Sequence, residues 1–189
     1  MKELCELFTV EKVNSSPAKF DMKKLEAING DKIRALTNDE FLNWSLPFLI
    51  KSKIISGTPD EIALVKAALP IIQERIIMFS EIPAMLKFLF VEKFEIEADS
   101  IAKVTDSGAK DVLRRALKEL EPISDWSQAA IEGALRTSLI DELGLKPRIA
   151  FGAVRIATTG SSISPPLFES LELLGKVASL ARISAALTL

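Results

Sequence analysis

Two tetrapeptides constrain the fold most, Thr37-Asn38-Asp39-Glu40 and Thr58-Pro59-Asp60-Glu61. Each sets a hydroxyl where it can accept a bond from the third helical amide, with a Glu three residues on that can reach back. The second also has Pro at the first helical position, where its missing N–H costs nothing. Both segments therefore predict helix starts. After Thr58 the apolar residues Ile62, Val65, Leu69, Ile72, Ile76 and Phe79 recur at spacings of three and four, which predicts one buried helical face through Phe79. Pro70 lies inside this stretch and should kink or split it, since it removes a donor and crowds the carbonyl four residues back.

Further signals of the same kind continue along the chain. Ser80 is a cap candidate for a helix over 82–90, and another helix should run from Ser107 to Leu120. A longer one is expected from Trp126 to Leu143, with Asp125 as N-cap, Gln128 in the capping-box position and Gly144 as a left-handed stop. Pro147 can open a helix through Arg155, and Thr158 to Pro166 reads as a loop of turn formers. Ser164 with Pro165 can cap a helix ending at Gly175, and a last apolar helix runs to the C-terminus. No segment alternates as a half-buried strand between hairpin turns, so the expected class is all-α.

Composition narrows the chemistry. The 189 residues suffice for one or two domains with a sizeable core. The chain contains no histidine and only Cys5, which removes Ser-His-Asp and Cys-His catalysis, zinc clusters and an intrachain disulfide. No window offers the run of apolar residues a membrane span needs, and Met1-Lys2-Glu3-Leu4-Cys5-Glu6 lacks the order of a signal peptide, so a cytoplasmic location is expected. Carboxylate pairs such as Asp39-Glu40 and Asp141-Glu142 fall at predicted helix ends, where acids serve capping and the helix dipole. Thr158-Thr159-Gly160-Ser161-Ser162 has one glycine and no Lys-Thr or Lys-Ser after it, so it is no nucleotide-binding P-loop.

The net charge of -2 and a pI near 5.4 mean that any nucleic-acid binding must come from a local patch. One such patch is visible. Between Glu142 and Glu169 there is no acidic residue, while Lys146, Arg148 and Arg155 lie there beside hydroxyls and prolines. They can be solvated surface or a phosphate and base contact site. Arg75 emerges amid Ile71, Ile72, Ile76 and Ile77, either paired with Glu74 or Glu81 or free as a bidentate donor. Trp44 and Trp126 fall on apolar helix faces and read as core anchors.

A family resemblance goes further than spacing. Leu7-Phe8, then Val13 to Asp21, Lys24-Leu25 and Ile28-Asn29-Gly30 with Ile33-Arg34 resemble the stretch just after the catalytic core of bacterial glutamyl-tRNA synthetases. Gln73-Glu74-Arg75 with Pro83 to Phe90, Trp126 with Ile131-Glu132, and Gly144-Leu145-Lys146 are similar to that family's first anticodon-side helices. Arg155 to Gly160, Ser164-Pro165-Pro166-Leu167-Phe168-Glu169 and Leu173-Leu174-Gly175-Lys176 are similar to its C-terminal helical subdomain. The family's His-Ile-Gly-His and Lys-Met-Ser-Lys-Ser motifs are absent. The resemblance thus implies either a fragment of the enzyme with an added Met1 or a separately encoded piece, non-catalytic and without cofactors, the ATP and glutamate sites lying in the missing catalytic domain.

What the resemblance implies is a helical cage that binds the anticodon arm of glutamate tRNA. The stem-contact segment and first helices would span 1–55, one anticodon-binding subdomain 56–122 and a second 123–189. Arg75 would read the third anticodon base, with Arg155, Ser164, Pro165, Leu167 and Phe168 around the first two. Arginine rather than glutamine at position 75 points to discrimination between glutamate and glutamine tRNAs. Lys19, Lys23, Lys32, Arg34, Lys146 and Arg148 would reach the backbone. The implied partners are this tRNA and the synthetase catalytic domain, in cis or in trans, with the chain itself a monomer away from membranes. A second class of function is a helical module that docks a synthetase or regulator, suggested by a mean hydropathy of +0.24.

Overall fold

Thr37 and Thr58 cap their helices as expected, each with a complete capping box. The computed structural model describes residues 2–10, 20–91 and 93–189, and Lys19 lies outside them. The helices are α1 (Lys2–Leu7), α2 (Met22–Arg34), α3 (Asn38–Lys51), α4 (Pro59–Ala68), α5 (Pro70–Gln73) and α6 (Ile82–Leu86). They continue as α7 (Ala98–Thr105), α8 (Ser107–Leu120), α9 (Gln128–Leu135), α10 (Pro147–Thr159), α11 (Leu167–Leu174) and α12 (Lys176–Leu187). There is no strand among the described residues, and the architecture is all-α.

Several expected boundaries move, each for a local reason. Pro70 splits its stretch into α4 and α5, and the helix stops at Gln73 rather than reaching Phe79. The Glu81 carboxylate accepts from the backbone N–H of Ile77 (3.2 Å) and Met78 (2.8 Å), which turns the chain away from helix; Ser80 is not the cap. The helix expected over 126–143 begins instead at Gln128, capped by Ser127. Trp126 stays outside because its indole N–H donates to the Leu171 carbonyl at 2.8 Å. From Arg136 to Glu142 the turns widen to a π-helix, held where Arg115 of α8 donates to the Ser138 hydroxyl and to Glu142. Gly144 ends the segment at φ +65°.

α10 runs to Thr159 rather than to Arg155, so Thr158 and Thr159 belong to helix. Their hydroxyls donate back to the carbonyls of Val154 and Arg155, both at 2.8 Å, and Gly160 closes the helix in the left-handed region at φ +83°. Ser164 and Pro165 do not cap α11; its N-cap is Pro166, with no side-chain bond.

The buried apolar side chains gather into two clusters. One draws on Ile33, Phe41, Leu49, Val65, Leu69, Ile72, Ile76, Ile82 and Leu86. The other holds residues from Val104 to Ala186, with α10 and α12 packed on α8 and α11 on α9. Leu173 of α11 packs against the first cluster, so α11 bridges the two. Trp44 is not a core anchor but is 61% exposed. The inward face of α3 is set by Phe41, Ser45 and Leu49, and Trp44 falls at its edge, touching Phe79 at 6.3 Å between ring centroids.

Glu61 shows how strongly one start is held: its carboxylate accepts from the N–H groups of Ser56, Gly57 and Thr58 at 2.8–3.1 Å. The backbone bond from Thr58, then that from Ser56, holds its carboxyl below the ordinary value of 4.5. A depressed folded-state value means stability that is present above pH 4.5 and lost as pH falls through the folded value. Glu61→Gln should therefore lower the melting temperature at neutral pH, and the gap between variant and parent should close on acidification. A gap that is constant with pH counts against this linkage.

Candidate nucleic-acid interface

α10 begins at Pro147, whose fixed φ suits the first helical turn, and it sends Arg148 and Arg155 to one side two turns apart. Both border a groove of about 980 Å³ between α10 and the α7–α8 junction, together with Phe151, Gly152 and Ser162. The acid-free window of the sequence is not acid-free in space, because Asp106 and Asp111 from the start of α8 line the same groove. A mixed wall of this kind favours a ligand with both anionic and donor groups over a simple polyanion.

Arg155 is half-buried and committed to the following loop. Its Nη1 donates to the Ser164 hydroxyl at 2.9 Å, to the Pro165 carbonyl at 2.8 Å and, longer, to the Ser164 carbonyl at 3.4 Å. Ser164 and Pro165 are buried, so this guanidinium shapes the loop that leads into α11. Burial first, and then the charge of Arg75, lowers its pKa, while Glu169 acts in the opposite sense. Its charge persists at neutral pH all the same.

Arg75 lies exposed in the turn after α5, within electrostatic reach of Arg155 although 80 residues earlier in the chain. That turn is anchored by Gln73, whose side-chain amide donates to the carbonyls of Ile33 and Leu36, both at 2.9 Å. Among the described residues neither Arg75 nor Arg155 forms an ion pair with a carboxylate, and Glu81 is engaged by backbone amides instead. Two like charges carried by different parts of the fold thus lie close enough to repel, and an anionic or acceptor-rich ligand bound by both would relieve that repulsion.

The remaining expected residues divide by place. Leu167 is buried and holds α11 in the second core. Phe168 is half-buried, edge-on to Phe151 at 5.2 Å, and Arg136 lies over both rings at 6.0 and 5.7 Å. Arg136 was not foreseen from sequence; it is a cation beside an aromatic pair, also bonded to Glu132 at 2.6 Å. Lys146 and Arg148 are exposed at the start of α10, near Arg155 rather than Arg75 in the chain. Lys23 and Lys32 are exposed on α2, and Arg34 is paired with Asp31 at 2.6 Å. No group of three or more potential metal ligands occurs among the described residues, and no helix there is long and apolar enough to cross a membrane.

Known proteins share the sequence and the fold of this chain. The chain is 43% identical over 190 residues to a glutamate-tRNA ligase of Saccharopolyspora erythraea and 45% identical over 192 residues to one of Nocardioides. Each match takes in 99% of this chain, which spans only 38% and 39% of the length of those relatives. A crystal structure of a glutamate-tRNA ligase from Elizabethkingia meningosepticum shares the fold, with a TM-score of 0.75 at 17% identity over 99% of this chain and 36% of that one. A family model described as an anticodon binding domain matches residues 40–187. With that match covering α3 to α12, and with both arginines inside it, the chain belongs to the anticodon binding domain family.

Proposed function

We propose that the chain reads the anticodon arm of glutamate tRNA as a non-catalytic portion of a glutamate-tRNA ligase, acting as a monomer. ATP and glutamate would be bound by a catalytic domain joined in cis or in trans. The observation that carries this reading is the pair Arg75 and Arg155, set in different parts of the fold yet within electrostatic reach of each other, and free of carboxylate pairs among the described residues. A splayed loop base is read on its edge by planar donors, and Arg75 has an exposed guanidinium for the third anticodon base. Arg155, with Ser164 and Pro165, forms the shaped wall against which the first two bases would lie. Leu167 and Phe168 back that wall from α11. Lys23, Lys32, Lys146 and Arg148 are exposed and unpaired with carboxylates among the described residues, so they suit phosphate contacts.

The test is titration of unmodified glutamate tRNA transcript against the same transcript with a swapped anticodon. Tighter binding of the cognate anticodon is expected, while equal affinity for both favours a protein-docking module instead. The salt dependence should be shallow, with log K falling by about 0.7 per loop phosphate for each unit of log salt. Lys146→Gln together with Arg148→Gln should lower that slope by roughly one to two contacts while leaving anticodon preference intact. A change in preference without a change in slope would move both residues from backbone to base contact.

A further inference from the structure

Arg182 of α12 is half-buried, and no carboxylate pairs with it among the described residues. Burial pushes its pKa down to about 10, so it remains a cation at neutral pH. Its Nη1 donates to the Thr158 carbonyl at 2.7 Å and its Nη2 to the Phe88 carbonyl at 2.9 Å, while the guanidinium lies 4.1 Å from the Phe94 ring centroid. The partners belong to different parts of the fold. Phe88 follows α6 in the part of the chain that builds the first core, and Thr158 is in the last turn of α10, one turn beyond Arg155. The connecting segment crosses the same point: the Glu97 N–H donates to the Gly160 carbonyl at 2.8 Å, and Lys87 pairs with Glu97 at 3.1 Å. A bidentate guanidinium can hold two carbonyls at fixed separation in a way that a single-point ammonium cannot.

We infer that Arg182 is a positioning residue: by tying the end of α10 to the Phe88 turn, it sets the separation at which Arg75 and Arg155 meet one RNA segment. This rests on the reading that both arginines contact RNA. It places part of the anticodon selectivity in a side chain that touches no nucleotide.

The test uses the full chain with Cys5→Ser, and with Ala67→Cys and Lys118→Cys as spin-label sites, both exposed and one on each core. Label-to-label distances are measured by pulsed EPR for the parent, Arg182→Ala and Arg182→Lys, and each protein is titrated with the glutamate anticodon stem-loop and with a third-base variant of it. The parent should give one narrow distance. Arg182→Ala should broaden it and reduce the ratio of the two affinities by about tenfold, the scale of one lost bidentate contact. Affinity for the third-base variant should change far less. Arg182→Lys should restore the helix content of the parent but not its narrow distance, and it carries the test if the alanine variant fails to fold. A distance as narrow as the parent's in the folded variant overturns the inference. The two readings fail separately: if the parent binds both stem-loops equally, the RNA reading falls, while the distances still judge the brace.

Discussion

Gly160→Ala should lower the unfolding free energy by about 2 to 5 kcal/mol, the sum of placing an L-residue in the left-handed region and crowding a packed site. Gly160 sits at φ +83°, and a Cβ built there would lie 2.7 Å from the Glu95 carbonyl oxygen, a backbone atom that cannot rotate aside. Relief would require the 93–97 segment to lift from the end of α10, breaking the bond from the Glu97 N–H to the Gly160 carbonyl. For a chain of this size the melting temperature should fall by roughly 5 to 15 °C. Gly133→Ala provides the internal control. It lies within α9, and nothing comes within 4 Å of its added Cβ, so it should be neutral or stabilising by up to about 1 kcal/mol. Thermal melts of the two variants check the expectation, and equal shifts in both would show that the close approach at Gly160 is not what matters.

Arg75→Ala should weaken binding of the cognate glutamate anticodon stem-loop by about 10- to 100-fold, corresponding to 1–3 kcal/mol for a bidentate base contact. The loss should be much smaller for a loop altered at its third base, because the wrong edge does not match the guanidinium to begin with. Folding should be unaffected, since Arg75 is exposed in a turn whose anchor is Gln73 rather than Arg75 itself. Titration of both loops by fluorescence anisotropy measures the two losses. Equal losses would reassign Arg75 to backbone attraction, and Arg75→Lys, which keeps the charge but not the planar fork, should then bind like the parent.

These two residues differ in how far they could be read from the chain. Gly160 was legible only as one member of a run of turn formers, and the run itself was misplaced, since Thr158 and Thr159 complete α10 by bonding back to it. Arg75 was singled out by its apolar neighbours and by family resemblance, but its freedom from Glu81 depended on that carboxylate turning to the Ile77 and Met78 amides. Trp44 shows the opposite error. Helical spacing placed it on an apolar face, and the face that packs passes through Phe41, Ser45 and Leu49 instead. Arg136 and Arg182 carried no sequence signal, because the partners that define them lie on other elements.

From the sequence by itself came the all-α class, the starts of α3, α4 and α8, the left-handed stop at Gly144, and the exclusion of histidine and paired-cysteine chemistry. These features rest on bonds and periodicities spanning three or four residues, which the order of side chains dictates directly. Only the tertiary structure decided that Arg75 comes within electrostatic reach of Arg155, that Asp106 and Asp111 enter the groove of α10, and that Arg182 reaches a carbonyl 94 residues away. Contacts between remote segments depend on how whole apolar faces pack, and packing is a joint property of all the helices that no local pattern contains.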